Sequence, residues 1–158
     1  MTKRVLFVCL GNICRSPAAE AVLQHWASVH RPDVALAVDS AGTIGAHIGE
    51  PPDPRMRQAG EARGYRFTSV ARRVTAADLE PGRFDLVVAM DRQNLADLKR
   101  MAPVTAEHLV LMSDFLDGRW PSDVPDPYYG GSQGFTTVLD MIEAGCESLL
   151  QRLYPEQG

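Results

Sequence analysis

Val5-Leu6-Phe7-Val8-Cys9-Leu10-Gly11-Asn12-Ile13-Cys14-Arg15-Ser16-Pro17 is the stretch on which the reading of this chain turns. The run from Arg4 to Cys9 is short and apolar without alternation, the pattern of a strand buried on both faces. Gly11 and Asn12 break it. Glycine brings backbone freedom, and asparagine tolerates the left-handed region that most residues avoid. Ser16-Pro17 then suits the N-cap and first turn of a helix. Ala18, Ala19, Val22, Leu23 and Trp26 continue from it at helical spacing.

Outward from this unit the same alternation repeats. Val34 to Ala41 reads as a second strand ended by Gly42, and Asp53-Pro54 opens a short helix that stops near Gly64. Phe84 to Met90 is a third strand, Asp91 caps a helix bearing Leu95, Leu98 and Met101, and Leu109 to Met112 is a fourth strand. Phe135, Val138, Leu139, Ile142, Cys146, Leu149, Leu150 and Leu153 form one stripe on a last helix. Strands alternating with helices imply an α/β fold, a parallel sheet covered on both sides. The 158 residues suit a single domain, 1–158, with no repeat or linker. In such sheets ligands bind beyond the carboxyl ends of the strands. Two segments therefore matter: the turn after Cys9, and the aperiodic stretch from Gly118 to Gly134, long enough to suggest function.

Composition narrows the class. A net charge of -4 argues against a broad cationic surface for nucleic acid or anionic lipid, while leaving room for a small anion site. No apolar run approaches the roughly 20 residues that span a bilayer, so no membrane partner is expected. Lys3-Arg4 before Val5 resembles the start of a signal peptide, but Gly11, Asn12 and Arg15 interrupt the apolar stretch too soon. Three cysteines, Cys9, Cys14 and Cys146, are too few and odd in number for a secreted disulfide framework, which points to the cytoplasm. His25, His30, His47 and His108 show no metal-ligand spacing, so neither metal nor cofactor is expected.

Cys9 and Arg15 form the pattern C-x5-R between a strand end and a helix start. A loop there can turn the N–H groups of Leu10, Gly11, Asn12, Ile13 and Cys14 inward, and with the helix dipole it cradles a phosphate dianion. Arg15 can offer two parallel donors to two phosphate oxygens, which lysine cannot. A thiol facing amides and a guanidinium ionises more readily and becomes a nucleophile. Ser16 can donate a hydrogen bond to that sulfur, and the expected product is a phosphocysteine intermediate released by water.

Residues 5–20, VLFVCLGNICRSPAAE, resemble the signature of the low-molecular-weight protein tyrosine phosphatases. Asp39-Ser40-Ala41-Gly42, Pro52-Asp53-Pro54-Arg55, Met90-Asp91 with Asn94-Leu95, and Asp126-Pro127-Tyr128-Tyr129-Gly130 resemble further motifs of that family, in its order. The resemblance implies a four-stranded, doubly wound, flavodoxin-like sheet, a cytosolic location, and hydrolysis of phosphotyrosine in a protein or peptide. Inorganic phosphate would be product and inhibitor. Expelling a phenolate calls for a proton donor, and by similarity Asp126, held between Pro125 and Pro127, is the general acid. Tyr128 and Tyr129 suit the walls of a cleft around the substrate ring. Ser40 and Asn12 resemble the family's polar support of the loop. The family analogy also implies a reversible Cys9–Cys14 disulfide that protects Cys9 from irreversible oxidation.

The chain departs from the family in two places. Gly45-Ala46-His47 lacks the aromatic that many relatives carry near Ala46, which would open one side of the groove; His47 could substitute for it, although a solvated loop histidine is the favoured reading. Ser69 stands where some relatives place a histidine before Ala71-Arg72, which would leave Glu20 without that partner. Three alternatives share the loop: a protein arginine phosphatase, an arsenate reductase, and a non-enzymatic phosphate or flavin binder. Relatives of the first kind carry threonine where Ile13 stands. The second needs a downstream cysteine relay that Cys146, on its helix stripe, supplies poorly. The third has no use for thiol or acid.

Overall fold

The computed structural model describes residues 2–102 and 106–155, with Tyr129 described by its backbone alone. Four strands, β1 (Lys3–Cys9), β2 (Leu36–Gly42), β3 (Leu86–Ala89) and β4 (Leu109–Leu111), form one parallel sheet in the order β2-β1-β3-β4. Four α-helices flank it: α1 (Arg15–His30), α2 (Pro54–Glu61), α3 (Arg92–Met101) and α4 (Ser132–Leu153). Among the described residues no helix is long and apolar enough to cross a membrane.

The apolar run of β1 does serve both faces. Val5 and Phe7 pack with the buried faces of α1, α2 and α4, around Val22, Leu23, Met56, Leu139 and Ile142. Leu6 and Val8 point the other way and join Leu79, Phe84, Val87 and Leu98 beneath α3. Alternate residues entering opposite cores is the period-two geometry of a strand.

Element ends shift from the sequence expectation by a few residues. Ladder pairing starts β2 at Leu36 rather than Val34 and confines β3 to residues 86–89. Met112 leaves β4 for a 3-10 turn, Met112–Phe115. Asp53 and Asp91 cap α2 and α3 as expected, accepting from Arg55 N and Asn94 N. Ser16 does not cap α1. The helix begins at Arg15 with no side-chain cap, and Ser16 lies inside its first turn.

The chain leaves β1 toward β2 on one side, then crosses to β3 on the other. That reversal opens a crevice beyond the carboxyl ends of β1 and β3, where the segment after Cys9 lies.

Candidate active site

The turn after β1 is shaped from outside and from within. The carbonyls of Cys9, Leu10 and Ile13 accept from the amides of Thr43, Ile44 and Asp53, beyond the loop. Carbonyls turned outward leave the concave side to N–H groups. Asn12 takes the left-handed conformation at φ 59°. Gly11 does not; its lack of a side chain serves another end, because a Cβ there would meet His47 Cδ2 at 2.9 Å. At Gly42 a Cβ would stand 2.7 Å from the Leu10 carbonyl, so β2 meets the loop through bare backbone.

Asn12, 1% exposed, holds the loop from behind. Its amide nitrogen donates to Ser16 Oγ at 2.8 Å and Ser40 Oγ at 3.0 Å, and its oxygen accepts from Arg72 N at 3.0 Å. Ser40 in turn donates to Glu20 at 2.7 Å, which gives Glu20 a partner without the missing histidine. Arg72 is itself paired with Asp39 and Asp78. Burial raises the Glu20 carboxyl above its ordinary value, against the opposing hydrogen bond from Ser40.

Ser16 meets the sulfur instead of capping the helix. Its hydroxyl lies 3.1 Å from Cys9 Sγ, and its N–H donates to the same atom at 3.4 Å. One of the helix's unpaired amides is thus aimed at the sulfur. Arg15, 2% exposed, reaches across the crevice. Its Nη1 donates to Asp91 Oδ2 at 2.6 Å and to the Val124 carbonyl at 3.0 Å, while Nη2 lies 3.6 Å from Asp126 Oδ2. Burial works against this charge, but Cys9, Asp91 and Asp126 outweigh it and raise the guanidinium above its ordinary value.

A cleft of about 200 Å³ opens over these groups, lined by Cys9, Leu10, Gly11, Ile13, Cys14 and Arg15 from the loop, and by Asp126 and Tyr128 opposite. Ile44, Ala46 and His47 complete it. Asn12, Ser16 and Ser40 stand behind this lining, and the Tyr129 side chain lies outside the described residues. Asp126 sits at the mouth, where Tyr128 N donates to its Oδ1 at 3.0 Å. Cys14 is buried, and that burial, with Asp53 and then Cys9 adding, pushes its thiol well above its ordinary value. Cys146 is 1% exposed within the helical core.

The sequence allowed His47 a place in the cleft wall but favoured solvent, and it gave no sign of one partner of Arg15. His47 is a wall rather than a solvated loop residue: its ring lies over Gly11 and 6.2 Å from the Tyr128 ring, with Nδ1 3.2 Å from Glu50. Asp91 was legible as a cap, but its second oxygen carries Arg15, 76 residues distant in sequence. Only the Asp126 motif hinted that chain from the other end of the protein returns to the loop. Among the described residues no three His, Cys, Asp or Glu side chains gather as a metal-ligand set.

The model of the low molecular weight phosphotyrosine protein phosphatase family matches residues 4–157. YfkJ of Bacillus subtilis, a low molecular weight protein-tyrosine-phosphatase, is 40% identical over 155 residues, 97% of each chain. Its crystal structure aligns at a TM-score of 0.89, over 100% of this chain and 98% of that one. The Entamoeba histolytica protein tyrosine phosphatase with Hepes in its active site aligns at a TM-score of 0.89, with 43% identity over 96% of each chain. DARP, the Drosophila arginine phosphatase, aligns at 0.87, with 34% identity over 98% of this chain and 99% of its own. Agreement over the whole length in both sequence and fold leaves one assignment: the chain belongs to the low molecular weight phosphotyrosine protein phosphatase family, and its activity is that of a protein tyrosine phosphatase.

Proposed function

We propose that Cys9 is the nucleophile, Arg15 the phosphate clamp and Asp126 the general acid of this activity. The observation that carries the reading is a convergence: Cys9 Sγ under the Ser16 hydroxyl, and a buried guanidinium with Asp126 3.6 Å from it. Phosphate binds with two oxygens on the Arg15 fork and the rest on the N–H groups of Leu10 to Ser16. The Cys9 sulfur then attacks phosphorus. A P–S bond forms as the ester P–O bond breaks, and Asp126 gives its proton to the departing phenolic oxygen. Asp126, now a carboxylate, takes a proton from water whose oxygen attacks phosphorus. The P–S bond breaks, Ser16 stabilises the leaving sulfur, and inorganic phosphate departs, a competitive inhibitor as well as product.

The substrate is a phosphotyrosine protein or peptide. Ile13 and Tyr128 face the cleft with apolar surface, which suits a flat phenyl ring better than the charged leaving group of phosphoarginine. Tyr129 is proposed as a second aromatic contact. Cys14, on the same loop, would close a disulfide with Cys9 under oxidation, a reversible state that spares the nucleophile. The proposed compartment is the cytoplasm, in keeping with three free cysteines, and the proposed unit is the single domain 1–158.

Turnover on phosphotyrosine, phosphoarginine and phosphoserine peptides, with Cys9→Ser as blank, tests the reading. Phosphotyrosine should turn over fastest, and Cys9→Ser should bind phosphate without turnover. EDTA should change nothing. Faster turnover of phosphoarginine would overturn the substrate assignment, and residual turnover in Cys9→Ser would remove the nucleophile.

A further inference from the structure

Asp126 lies on the chain between β4 and α4, whereas the phosphate site is built on β1 and α1. Proton transfer requires the two to keep a fixed relation, since about 1 Å of misplacement can cost about 10²-fold. Asp53 and Arg55 span the gap. Asp53, buried, donates its N–H to the Ile13 carbonyl at 2.8 Å, which anchors it to the phosphate loop. Its carboxylate caps α2 and also grips Arg55 through two parallel bonds, Nε to Oδ1 at 3.1 Å and Nη2 to Oδ2 at 2.9 Å.

Held this way, the Arg55 guanidinium reaches the opposite loop. Its Nη2 donates to the Tyr128 carbonyl at 3.3 Å. Its Cζ stands 5.4 Å from the centre of the Tyr128 ring and 5.0 Å from that of Phe135, on α4. Tyr128 N in turn donates to Asp126. The path runs from Ile13 through Asp53, Arg55 and Tyr128 to the carboxylate at the mouth of the cleft.

We propose that Arg55, seated by Asp53, is a positioning residue that docks the acid loop against the phosphate loop. It touches neither phosphorus nor the leaving oxygen, and the inference rests on Asp126 being the acid. A planar, forked cation is needed, because one group must pair with a carboxylate, reach a carbonyl and lie against two aromatic rings at once. Lysine, a point charge, cannot do all three.

The test compares Arg55→Ala, Asp53→Asn and Asp126→Ala on aryl phosphates from dinitrophenyl phosphate to phenyl phosphate. The measured quantity is kcat/KM, which reports the step that breaks the aryl ester. Arg55→Ala should lose about tenfold to a hundredfold on phenyl phosphate, where protonation matters most. On dinitrophenyl phosphate it should lose less than about twofold, with the inhibition constant of inorganic phosphate unchanged. Asp53→Asn, whose side chain caps a helix as well as aspartate does, should show the same slope. Adding Arg55→Ala to Asp126→Ala should cost nothing further. Arg55→Lys carries the same comparison should Arg55→Ala not fold. Equal losses across the series, or losses that multiply with those of Asp126→Ala, overturn the proposal. A level profile for Asp126→Ala would remove the acid and this inference together. A steep profile for Asp126→Ala beside an unaffected Arg55→Ala would remove this inference alone.

Discussion

Asn12 offers a sharp test of how the phosphate loop is held. The residue is buried, left-handed at φ 59°, and makes three side-chain hydrogen bonds, to Ser16, Ser40 and Arg72 N. Replacing it by glycine or by alanine removes all three. At about 1 kcal/mol net for each bond, that is about 3 kcal/mol. The two variants differ in the backbone term. Alanine in the left-handed region costs about 1–2 kcal/mol that glycine escapes, less the extra freedom glycine has when unfolded. Asn12→Ala should therefore be about 1 kcal/mol less stable than Asn12→Gly, the reverse of the order inside a helix. For a chain of this length the melting point should fall by about 6–12 °C in Asn12→Gly and by about 2–4 °C more in Asn12→Ala. Urea unfolding at 25 °C measures both differences if the slope with denaturant stays constant. Asn12→Ala as stable as Asn12→Gly would refute the backbone argument. Both variants within about 0.5 kcal/mol of the parent would refute the hydrogen-bond argument.

Arg15→Lys keeps the charge but loses the fork that holds Asp91 and is proposed to take phosphate, so kcat/KM should fall by about 10²–10³-fold; a loss under tenfold would contradict the role proposed for the fork. Glu20 has a raised folded pKa through burial, so its stabilising effect is complete below the ordinary value of 4.5 and is lost as pH rises through the raised value. Glu20→Gln, neutral throughout, should be more stable than the parent at pH 7 and match it below about pH 4, as urea midpoints against pH would show; parallel profiles would defeat the argument. Burial, with Glu143 adding, pushes the Cys146 thiol up to about 12, and Cys14 is also raised. Iodoacetamide at pH 7 should therefore label Cys9 alone and be blocked by phosphate, with peptide mapping as readout; comparable labelling of Cys146 would contradict its burial.

The alternation of short apolar runs with helical stripes was enough to identify four strands and four helices. The reason is that burial on two faces, or on one stripe, leaves a local periodicity. C-x5-R with Gly11, Asn12 and Ser16 was likewise legible, because the phosphate loop is built from consecutive residues. Even there Ser16 carried two local signals: the cap that a serine before a proline suggests does not form, while the hydrogen bond expected between its hydroxyl and the Cys9 sulfur does. Of that loop's partners, Ser40 was legible through the family motif, whereas Asp91 was not. Arg15 finds Asp91 only because β1 and β3 lie side by side with their ends level, and the His47 ring can lie over the loop only because Gly11 has no Cβ. Arg55 stays exposed on α2, and only the return of the chain before α4 brings the Tyr128 carbonyl and the Phe135 ring against it. Local pattern determines which elements form, since backbone geometry and side-chain period act over a few residues. Which distant charges meet is decided by sheet order and register, since an ion pair spanning 76 residues leaves no period to read.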